Sequence, residues 1–587
     1  MTPTENLSPS APSAARRIVV VGGVAGGMSA AARARRLDEH ASIVVLERGS
    51  YVSFANCGLP YHLSGEISHE DSLLVQTPQA LAESLALDVR TGSNATAIDR
   101  EHRTVHVSTA DTEYDLPYDA LLLAPGAVAV RPPIDGLDNP AVHALRTIDD
   151  VQRLRGTVDR VLALRPEGEA RAVVVGAGFI GLETVEAFRH RGLTVTLVEL
   201  APQVLPALDA DMASMIEAEL RAHDVDVRTG AGLAAVEDSR SGRAVDVVLS
   251  DGERIGADVV LLGVGVRPST ALARAAGLEL SPAGAVVVTP SQQTSDPHIW
   301  AVGDAIQVTD FVTGAPGVVP LAGPANRQGR LAADAIMGRH VASSPVLGTA
   351  IVRVFGLTAA VTGPTSRRLT AAGVEHRVVH LHPGHHAGYY PGAESIHLAV
   401  IFAPDGGLLG AQAVGSAGVD KRIDVLATAL RAGMTVDDLA ELELAYAPPF
   451  GSAKDAINMA GFLAQNVLDG MLTTWSAAEL DSVLDGSVLL LDVRSAREFA
   501  VGHLPGALNV PHTRLRGRID EVVEAAAGRP VRALCASGFR SYLAHRVLTS
   551  HGLDSASLDG GLTTLLAARP DAPIVVDSVR EPVLASR

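Results

Sequence analysis

The chain has 587 residues, enough for about four domains of ordinary size. Hydrophobic residues make up 47% and charged residues 19%, a balance typical of globular proteins. The net charge of −18 argues against a nucleic-acid-binding protein and against adsorption to anionic lipid, and no apolar run approaches the roughly 18 residues of a membrane span.

The N-terminal part of the chain contains two predicted β-α-β units. A stretch rich in Ser, Pro and Ala, 1–15, is predicted to be a disordered tail. The first unit then comprises a strand (18–21), a helix (28–37) and a strand (43–46) that ends at Glu47. The second unit begins with a strand (172–175) and closes with a strand (195–198) that ends at Glu199. Two such units predict two Rossmann-like nucleotide domains in a chain of the α/β class.

Two further domains are predicted after these units. The segment Ala301-Val-Gly-Asp-Ala305 combines a strand with a turn and is expected to return to the first domain. Mixed strand and helix patterns over 343–465 predict an α+β domain, and 466–475 is predicted to be a linker. Strand and helix signals then alternate over 476–587, with a strand at 488–491, which predicts a small α/β domain.

The glycine loop of the second unit is a complete G-x-G-x-x-G between a strand and a helix. Such glycines permit a tight turn and let the backbone approach a pyrophosphate at a helix N-terminus. The acid about 20 residues further on is placed to accept ribose hydroxyls, which favours NADH and leaves NADPH as the alternative. The predicted contacts of the nicotinamide cofactor are Gly176, Gly178, Phe179, Ile180, Gly181 and Glu199.

The glycine loop of the first unit departs from this pattern, because Val24 stands where the middle glycine belongs. Two nucleotide sites in one chain imply two cofactors that exchange electrons, and the usual partner of nicotinamide is a flavin, here FAD. An Asp after a strand and a glycine, Asp304, would hold the ribityl chain or a phosphate. The predicted FAD contacts are Gly22, Gly23, Val24, Ala25, Gly26, Gly27, Glu47, Gly303 and Asp304.

Only two cysteines occur, Cys57 and Cys535, which excludes a disulfide-stapled fold and suggests a reducing cytoplasm. Cys57 lies in Ser53-Phe-Ala-Asn-Cys-Gly-Leu-Pro-Tyr61. A thiol near a helix start or a positive group ionises and becomes reactive, which is the expectation here, whereas a buried structural cysteine is the alternative.

These motifs, together with His386-Ala-Gly-Tyr-Tyr-Pro-Gly392 and Tyr446-Ala-Pro-Pro-Phe-Gly-Ser-Ala-Lys454, resemble the flavin- and pyridine-nucleotide-dependent disulfide reductases. The resemblance is narrower with the single-cysteine branch that contains coenzyme A-disulfide reductase, and it covers 16 to about 465. It implies an FAD-binding domain (16–148 and 268–342), an NAD(P)H-binding domain (149–267), a dimerisation domain (343–465) and a homodimer. It also adds Arg48, Ala124, Gly126 and Gly265 to the cofactor-binding positions.

Cys57 has no partner cysteine in its domain, so its oxidised form needs an outside sulfur or an oxygen. The open candidates are a mixed disulfide with coenzyme A, a persulfide and a sulfenic acid. The resemblance implies the mixed disulfide or the persulfide. The peroxidase and oxidase branches carry a His where this chain has Ala25, and often a Ser where it has Asn56, and both differences lower those alternatives.

Coenzyme A needs a positive cradle for its phosphates. Arg33 and Arg36 are three apart on one predicted helix face, so both are expected to grip one phosphate, with a solvated basic face as the alternative. The positions that match the family's coenzyme A contacts are Ser29, Arg33, Arg36, Ser53, Asn56, Asn326 and Lys454.

Three tyrosines are candidates for a role in catalysis. By resemblance, Tyr446 and one of the adjacent pair Tyr389 and Tyr390 reach the partner subunit's cysteine, where a phenol donates a hydrogen bond to a departing thiolate. The alternative is an aromatic that packs in the interface. A short histidine cluster, His382, His385 and His386, is interpreted as a polar loop, and no metal site is predicted.

Cys535 ends a predicted strand and is followed by Ala-Ser-Gly-Phe-Arg540-Ser541 and an apolar helix. A loop of this length points backbone N–H groups at the sulfur, which favours an anionic persulfide. With Leu491-Asp-Val-Arg494 and Leu558-Asp-Gly-Gly561, the stretch resembles a rhodanese domain over 476–587, in which Cys535 and Arg540 are catalytic. An inactive regulatory copy and a cysteine phosphatase are the alternatives.

The sequence thus predicts an FAD-dependent reductase that uses NAD(P)H to reduce coenzyme A disulfide, coenzyme A persulfide or polysulfide through Cys57, with sulfane sulfur handled by Cys535. An NADH oxidase or peroxidase is the second hypothesis. A non-enzymatic redox sensor or sulfur carrier is the third.

Overall fold

The computed structural model describes residues 15–576, so most of the predicted tail and residues 577–587 lie outside the described residues. This part of the chain forms two compact units, 15–198 with 231–346 and 199–230 with 347–576. In it, no helix combines the length and the apolar character that crossing a bilayer requires.

The elements up to residue 147 are the strands β1 (Arg17–Val21), β2 (Ser42–Leu46), β3 (Asp88–Arg90), β4 (Asn94–Asp99), β5 (Thr104–Ser108), β6 (Glu113–Pro117), β7 (Ala120–Leu123), β8 (Ala127–Ala129) and β9 (Val142–His143), and the helices α1 (Ala25–Leu37), α2 (Leu59–Ser64) and α3 (Pro78–Leu85). From 148 to 346 they are the strands β10 (Arg171–Val175), β11 (Thr194–Val198), β12 (Val225–Arg228), β13 (Leu233–Asp238), β14 (Val245–Leu249), β15 (Arg254–Ala257), β16 (Val259–Leu262), β17 (Val266–Pro268), β18 (Ile299–Ala301), β19 (Val308–Thr309) and β20 (Pro316–Gly317), and the helices α4 (Ile148–Leu164), α5 (Phe179–His190), α6 (Ala210–Ala222), α7 (Ala271–Ala275) and α8 (Ala322–Ile336).

From 347 onward the strands are β21 (Ala350–Val354), β22 (Leu357–Thr362), β23 (Arg377–Leu381), β24 (Ile396–Phe402), β25 (Leu408–Gly415), β26 (Thr474–Trp475), β27 (Leu489–Asp492), β28 (Leu508–Asn509), β29 (Val531–Leu534) and β30 (Ser555–Leu558). The helices there are α9 (Ser366–Ala371), α10 (Val419–Ala432), α11 (Val436–Glu441), α12 (Ala456–Leu468), α13 (Leu480–Val483), α14 (Ala496–Val501), α15 (Ile519–Ala526), α16 (Phe539–Ser550) and α17 (Gly561–Ala568).

The first unit contains two parallel sheets, which confirms the two Rossmann-like domains. One sheet has the strand order β18-β7-β1-β2-β3. The other contains the strands β11-β10-β16-β9, in that order. Their central strands are almost wholly Val, Ile, Leu and Ala because helices or loops cover both faces. Burial of each such Val, Leu or Ile contributes about 1.5–3 kcal/mol. The glycine loops therefore follow β1 and β10, at the carboxyl ends of buried strands.

The second unit contains an antiparallel sheet of order β21-β22-β25-β24-β23, whose core is completed by α10, α11 and α12. The segment 199–230, predicted to belong to the NAD(P)H-binding domain, groups with this unit. The physical reason lies in α6 and its N-cap: Asp209 accepts hydrogen bonds from the backbone N–H of Ser366 and from the side chain of Gln412, and α6 contacts α17.

The C-terminal domain is a parallel sheet of order β26-β30-β29-β27-β28 with hydrophobic clusters on both faces. The predicted linker, 466–475, is only partly irregular. Helix α12 continues to Leu468, and Trp475 at the end of β26 is buried and donates its indole N–H to the Ala533 carbonyl at 3.1 Å. A large aromatic side chain in the core thus fixes where the last domain begins.

Candidate active site

The first glycine loop leaves no room for side chains at two of its glycines. Gly22 has φ +104, and a Cβ there would lie 2.1 Å from the Ala124 carbonyl oxygen. A Cβ on Gly27 would lie 1.9 Å from the Gly22 carbonyl oxygen. Helix α1 begins at Ala25, and the side chain of its N-cap residue Val24 accepts no hydrogen bond, so the first-turn N–H groups have no side-chain cap. This arrangement fits a dinucleotide pyrophosphate.

Glu47 follows β2 and is held by backbone N–H groups. Its Oε2 accepts a hydrogen bond from Gly23 at 2.9 Å, and its Oε1 accepts one from Gly49 at 2.8 Å. The carboxylate is thereby fixed beside the first glycine loop, where a ribose acceptor is expected, while Arg48 next to it is exposed. Ala124 ends the neighbouring strand β7, and Gly126 two residues on has φ +67.

The second glycine loop repeats this geometry. A Cβ on Gly181 would lie 1.9 Å from the Gly176 carbonyl oxygen, whereas Gly178 has open space around its Cβ position. Gly178 is the N-cap of α5, so Phe179 and Ile180 form the first turn and present N–H groups. Glu199 follows β11 directly, and its Oε1 accepts the N–H of Ala201 at 2.8 Å. Gly265, after β16, is exposed and has φ +104.

Cys57 lies in a short 3₁₀ turn, Asn56–Gly58, and is exposed. Its Sγ is 3.7 Å from Oδ1 of Asn56. Desolvation by the surrounding protein raises the pKa of the Cys57 thiol, and the charges of Glu183 and Asp304 raise it further, while Arg146 lowers it. Burial and two carboxylates thus outweigh one guanidinium, and the protein groups raise this pKa instead of lowering it as the sequence predicts.

Two charged neighbours of Cys57, Arg146 and Glu183, are not predicted by the sequence. Arg146 donates to the Ala127 carbonyl at 2.6 Å and to Oδ2 of Asp304 at 3.0 Å. Asp304 follows Gly303 in a 3₁₀ turn after β18, so the predicted flavin contact is also the anchor of this arginine. Glu183, in α5, accepts a hydrogen bond from the Tyr61 hydroxyl at 3.1 Å. No motif surrounds either residue, so only the fold identifies them.

The structure brings together some of the predicted coenzyme A contacts and separates others. Ser29 donates to Oδ1 of Asn326 at 2.5 Å, so these two side chains form one polar patch between α1 and α8. Arg33 is instead paired with Asp334 at 2.7 Å and is mostly buried. Arg36 is exposed, whereas a carboxylate on α8 pairs with Arg33, so the grip of both arginines on one phosphate stays a prediction. The remaining predicted positions are half-buried Ser53 and Asn56 and exposed Lys454.

In the second unit, the hydroxyl oxygens of Tyr389 and Tyr446 are 2.8 Å apart, and both residues are exposed. Tyr390 points elsewhere and contacts the His386 ring edge-on, with centroids 5.5 Å apart. The hydrogen bond to Tyr446 raises the pKa of the Tyr389 phenol. Of the adjacent pair, Tyr389 is the one joined to the second predicted tyrosine.

Cys535 lies at the end of β29 and is fully buried. The Ser541 N–H points at its sulfur at 3.3 Å, and the Ser541 hydroxyl is 3.4 Å from it. Arg540 is fixed by a two-pronged ion pair with Glu498, at 2.6 and 2.9 Å. That contact holds the pKa of the Glu498 carboxyl far below its usual range. One N–H of the predicted loop thus points at the sulfur, and Glu498, from α14, is an unpredicted support of Arg540.

Comparison with known proteins places these sites in context. The profile of the pyridine nucleotide-disulphide oxidoreductases matches residues 16–329, the dimerisation domain of the same family matches 349–456, and the rhodanese-like domain matches 476–568. The chain is 42% identical to Bacillus anthracis CoADR-RHD, whose crystal structure in the reduced form is known. The superposition of the two covers 96% of this chain and 99% of that one, with a TM-score of 0.91.

Two further relatives are similar over most of their length. A NAD-dependent persulfide reductase from A. fulgidus is 36% identical, with a TM-score of 0.87 over 93% of this chain and 99% of that one. The coenzyme A disulfide reductase of Staphylococcus haemolyticus is 36% identical over 456 residues, which are 77% of this chain and all of the relative.

Proposed function

This chain belongs to the pyridine nucleotide-disulphide oxidoreductase family and ends in a rhodanese-like domain, and we propose that it uses NAD(P)H to reduce coenzyme A disulfide, coenzyme A persulfide and polysulfide through Cys57. Relatives that match across nearly the whole chain or its first three domains carry reductase names of this kind. The preference for NADH over NADPH rests on Glu199.

The cofactors of the family are FAD and NAD(P)H. FAD, when bound, relays the two electrons of the nicotinamide hydride to sulfur. The first glycine loop and Glu47 would hold its nucleotide half, and the loop from Gly176 to Gly181 would hold the nicotinamide nucleotide. The crowding at Gly22 and Gly27 supports this assignment, because each position excludes even a methyl group from the turn.

The proposed reaction at Cys57 begins with its thiolate. The sulfur attacks one sulfur of the substrate disulfide, a mixed disulfide forms, and one thiol leaves with a proton. Two electrons from NAD(P)H then return Cys57 to the thiolate and release the second thiol. The sum is NAD(P)H + H⁺ + RSSR giving NAD(P)⁺ + 2 RSH, and for a persulfide the products are RSH and H₂S.

One observation carries this proposal: of the two cysteines of the chain, one lies in the oxidoreductase match and the other in the rhodanese-like match. Cys57 is exposed in the turn Asn56–Gly58, and Cys535 is buried beneath a loop that aims an N–H at its sulfur. Cys57 has no second cysteine with which to close an internal disulfide in the reductase domains, so its oxidised partner comes from the substrate. Cys535 would carry sulfane sulfur as a persulfide.

The remaining parts of the proposal concern assembly and location. The dimerisation domain supports a homodimer, in which Tyr389 and Tyr446 would reach the partner subunit's active site. Ser29, Asn326, Arg36 and Lys454 would contact coenzyme A. A chain with two cysteines and no disulfide framework favours action in the cytoplasm.

The test is NADH oxidation by full-length holoenzyme with coenzyme A disulfide, coenzyme A persulfide or O₂ as acceptor, while thiol, sulfide and peroxide are measured. Cys57→Ser is expected to abolish thiol and sulfide release, and Cys535→Ser to retain reduction of coenzyme A disulfide. Mass spectrometry is expected to find a coenzyme A adduct on Cys57. Full activity of Cys57→Ser would refute the mechanism, and faster turnover with O₂ than with every sulfur acceptor would favour the oxidase.

A further inference from the structure

One histidine of the second unit, His380 at the end of β23, lies between two carboxylates. Its Nε2 is 2.8 Å from Oδ2 of Asp211 in α6, and its Nδ1 is 2.6 Å from Oδ2 of Asp559, directly after β30. The backbone N–H of His380 also donates to Oδ1 of Asp559 at 3.0 Å. Its side chain is only 15% exposed. Asp559 belongs to the rhodanese-like domain, whereas His380 and Asp211 do not.

This geometry fixes the charge of His380. An ionised carboxylate accepts hydrogen bonds and donates none, so both ring nitrogens must donate and the ring is an imidazolium. Burial opposes the charge, but Asp559 and Asp211 outweigh it and raise the pKa of His380 well above its usual value. The other titratable groups nearby are His382 and His397, whose Nδ1 atoms are 2.8 Å apart. Burial, His397 and His380 lower the pKa of His382 to about 3, so His382 is neutral beside the His380 imidazolium.

The chain after Asp559 leads directly to the Cys535 loop. The Leu562 N–H donates to the Cys535 carbonyl at 2.9 Å, and the N–H and hydroxyl of Thr563 both donate to the Ala536 carbonyl at 3.0 Å. Gly561 approaches the same loop so closely that a Cβ would lie 2.6 Å from the Ala536 carbonyl group. Leu562 and Thr563, which bind the carbonyls of the loop, lie only three and four residues after Asp559. A short stretch of backbone therefore connects the carboxylate that His380 holds to the Cys535 loop.

We propose that His380 is a positioning residue for sulfur transfer at Cys535: the imidazolium, anchored by Asp211, fixes Asp559 and with it the backbone that shapes the Cys535 loop. This inference rests on the sulfur-carrying role proposed for Cys535. A residue outside the rhodanese-like domain thus sets the geometry of that domain's active loop. The side chain of His382 reinforces the same segment, because its Nε2 lies 3.0 Å from the Gly560 carbonyl and 2.9 Å from the Thr564 hydroxyl.

The test measures transfer of sulfur from thiosulfate to cyanide by the full-length holoenzyme. The Cys535 thiolate takes the outer sulfur of thiosulfate and releases sulfite, and cyanide then removes that sulfur as thiocyanate, so atoms and charge balance. His380→Gln is expected to lower transfer about ten-fold, since a charge-assisted hydrogen bond is lost. NADH-dependent reduction of coenzyme A disulfide should be unchanged. His102→Gln, an exposed histidine paired with Asp99, is the matched control and should change neither.

A pH profile separates positioning from simple stabilisation. The contact is present while His380 is protonated and is lost as the pH rises through its elevated pKa, so wild-type transfer should fall on the alkaline side. Asp211→Asn removes one carboxylate and should move that fall to lower pH, although Asp211 lies outside the rhodanese-like domain. His380→Gln should lack this limb altogether.

Hydrogen exchange of the full chain provides a readout independent of activity. Amides in 535–541 and 559–563 should exchange about ten-fold faster in His380→Gln than in wild type or His102→Gln. Unchanged exchange and unchanged transfer in His380→Gln would overturn the positioning role. If wild type transfers no sulfur, the role of Cys535 fails, and exchange in these two segments still decides the role of His380. If His380→Gln does not fold, the shift of the alkaline limb in Asp211→Asn decides it.

Discussion

The hydroxyl groups of Tyr389 and Tyr446 form one hydrogen-bonded pair, 2.8 Å from oxygen to oxygen, on the exposed surface of the second unit. Only Tyr389 of the adjacent pair is hydrogen-bonded to Tyr446, which favours Tyr389 over Tyr390 as the residue that acts. Two phenols in contact can pass a proton to a leaving thiolate while the donor is resupplied by its neighbour.

We therefore expect Tyr389→Phe and Tyr446→Phe each to lower kcat for coenzyme A disulfide about ten-fold, a modest effect for a general acid because thiolates leave readily. Tyr390→Phe should have a much smaller effect. Steady-state kinetics with Tyr114→Phe as the control tests this, and a larger loss in Tyr390→Phe than in Tyr389→Phe would reverse the assignment.

The second prediction concerns the acidity of Cys57. Burial, Glu183 and Asp304 raise the pKa of this thiol, and Glu183→Gln removes one negative charge from its surroundings. The thiolate becomes easier to form, so the pKa should fall and alkylation by iodoacetamide at neutral pH should accelerate.

Mass spectrometry of the alkylated Cys57 peptide over a pH series gives the pH at which alkylation is half-maximal, which is the midpoint that reports the pKa of Cys57. Buried Cys535 is the internal reference. Glu101→Gln, an exposed acid elsewhere in the first unit, should leave the midpoint in place. A midpoint that stays or rises in Glu183→Gln would contradict the electrostatic account.

The third prediction uses the space around two glycines of one loop. A Cβ on Gly178 meets no protein atom within 4 Å, whereas a Cβ on Gly181 collides with the Gly176 carbonyl. Gly178→Ala should leave the thermal midpoint unchanged and raise KM for NADH about ten-fold, because only a bound pyrophosphate approaches that position closely.

Gly181→Ala should lower the thermal midpoint itself, since the backbone must shift to accept the methyl group. Calorimetry and NADH kinetics on both variants make the comparison. If KM for NADH is the same in Gly178→Ala and wild type, the loop does not carry the nicotinamide nucleotide.

The fourth prediction concerns Glu498, whose carboxyl pKa is held far below its usual range by Arg540. A depressed pKa contributes stability above the unfolded-state value and loses it as the pH falls through the folded value. Glu498→Gln should therefore melt at a lower temperature than wild type near neutrality, by an amount that is constant down to about pH 4.5 and shrinks below it.

Thermal unfolding followed by circular dichroism at several pH values checks this, with Glu524→Gln, a change of an exposed acid of α15, as the control. Sulfur transfer should also fall in Glu498→Gln because Arg540 loses its fixed orientation. A gap in melting temperature that grows on acidification would show that the ion pair is not its source.

The sequence was sufficient for the features that depend on local pattern. Both β-α-β units, both glycine loops and the strand that ends at Cys535 follow from hydrophobic runs and glycine spacing. The first helix begins at Ala25 rather than at 28, because Gly26 and Gly27 are helical here and pack against neighbouring backbone, which propensity alone does not reveal.

Contacts between distant parts of the chain were not predictable in the same way. Arg33 pairs with Asp334, which lies 301 residues away in the chain, and no motif near Arg33 predicts that carboxylate. Arg146, Glu183 and His380 stand outside every recognisable motif, and their roles arise only when the fold brings them to a sulfur or to a loop that carries one. Two of the groups that raise the pKa of Cys57, Glu183 and Asp304, likewise come from distant parts of the chain.

The complete burial of Cys535 has a consequence for any sulfur loaded onto it. If Cys535 carries a sulfane sulfur as proposed, that sulfur is covered by side chains on the surface of the domain. Small acceptors are then expected to react with it faster than bulky thiols.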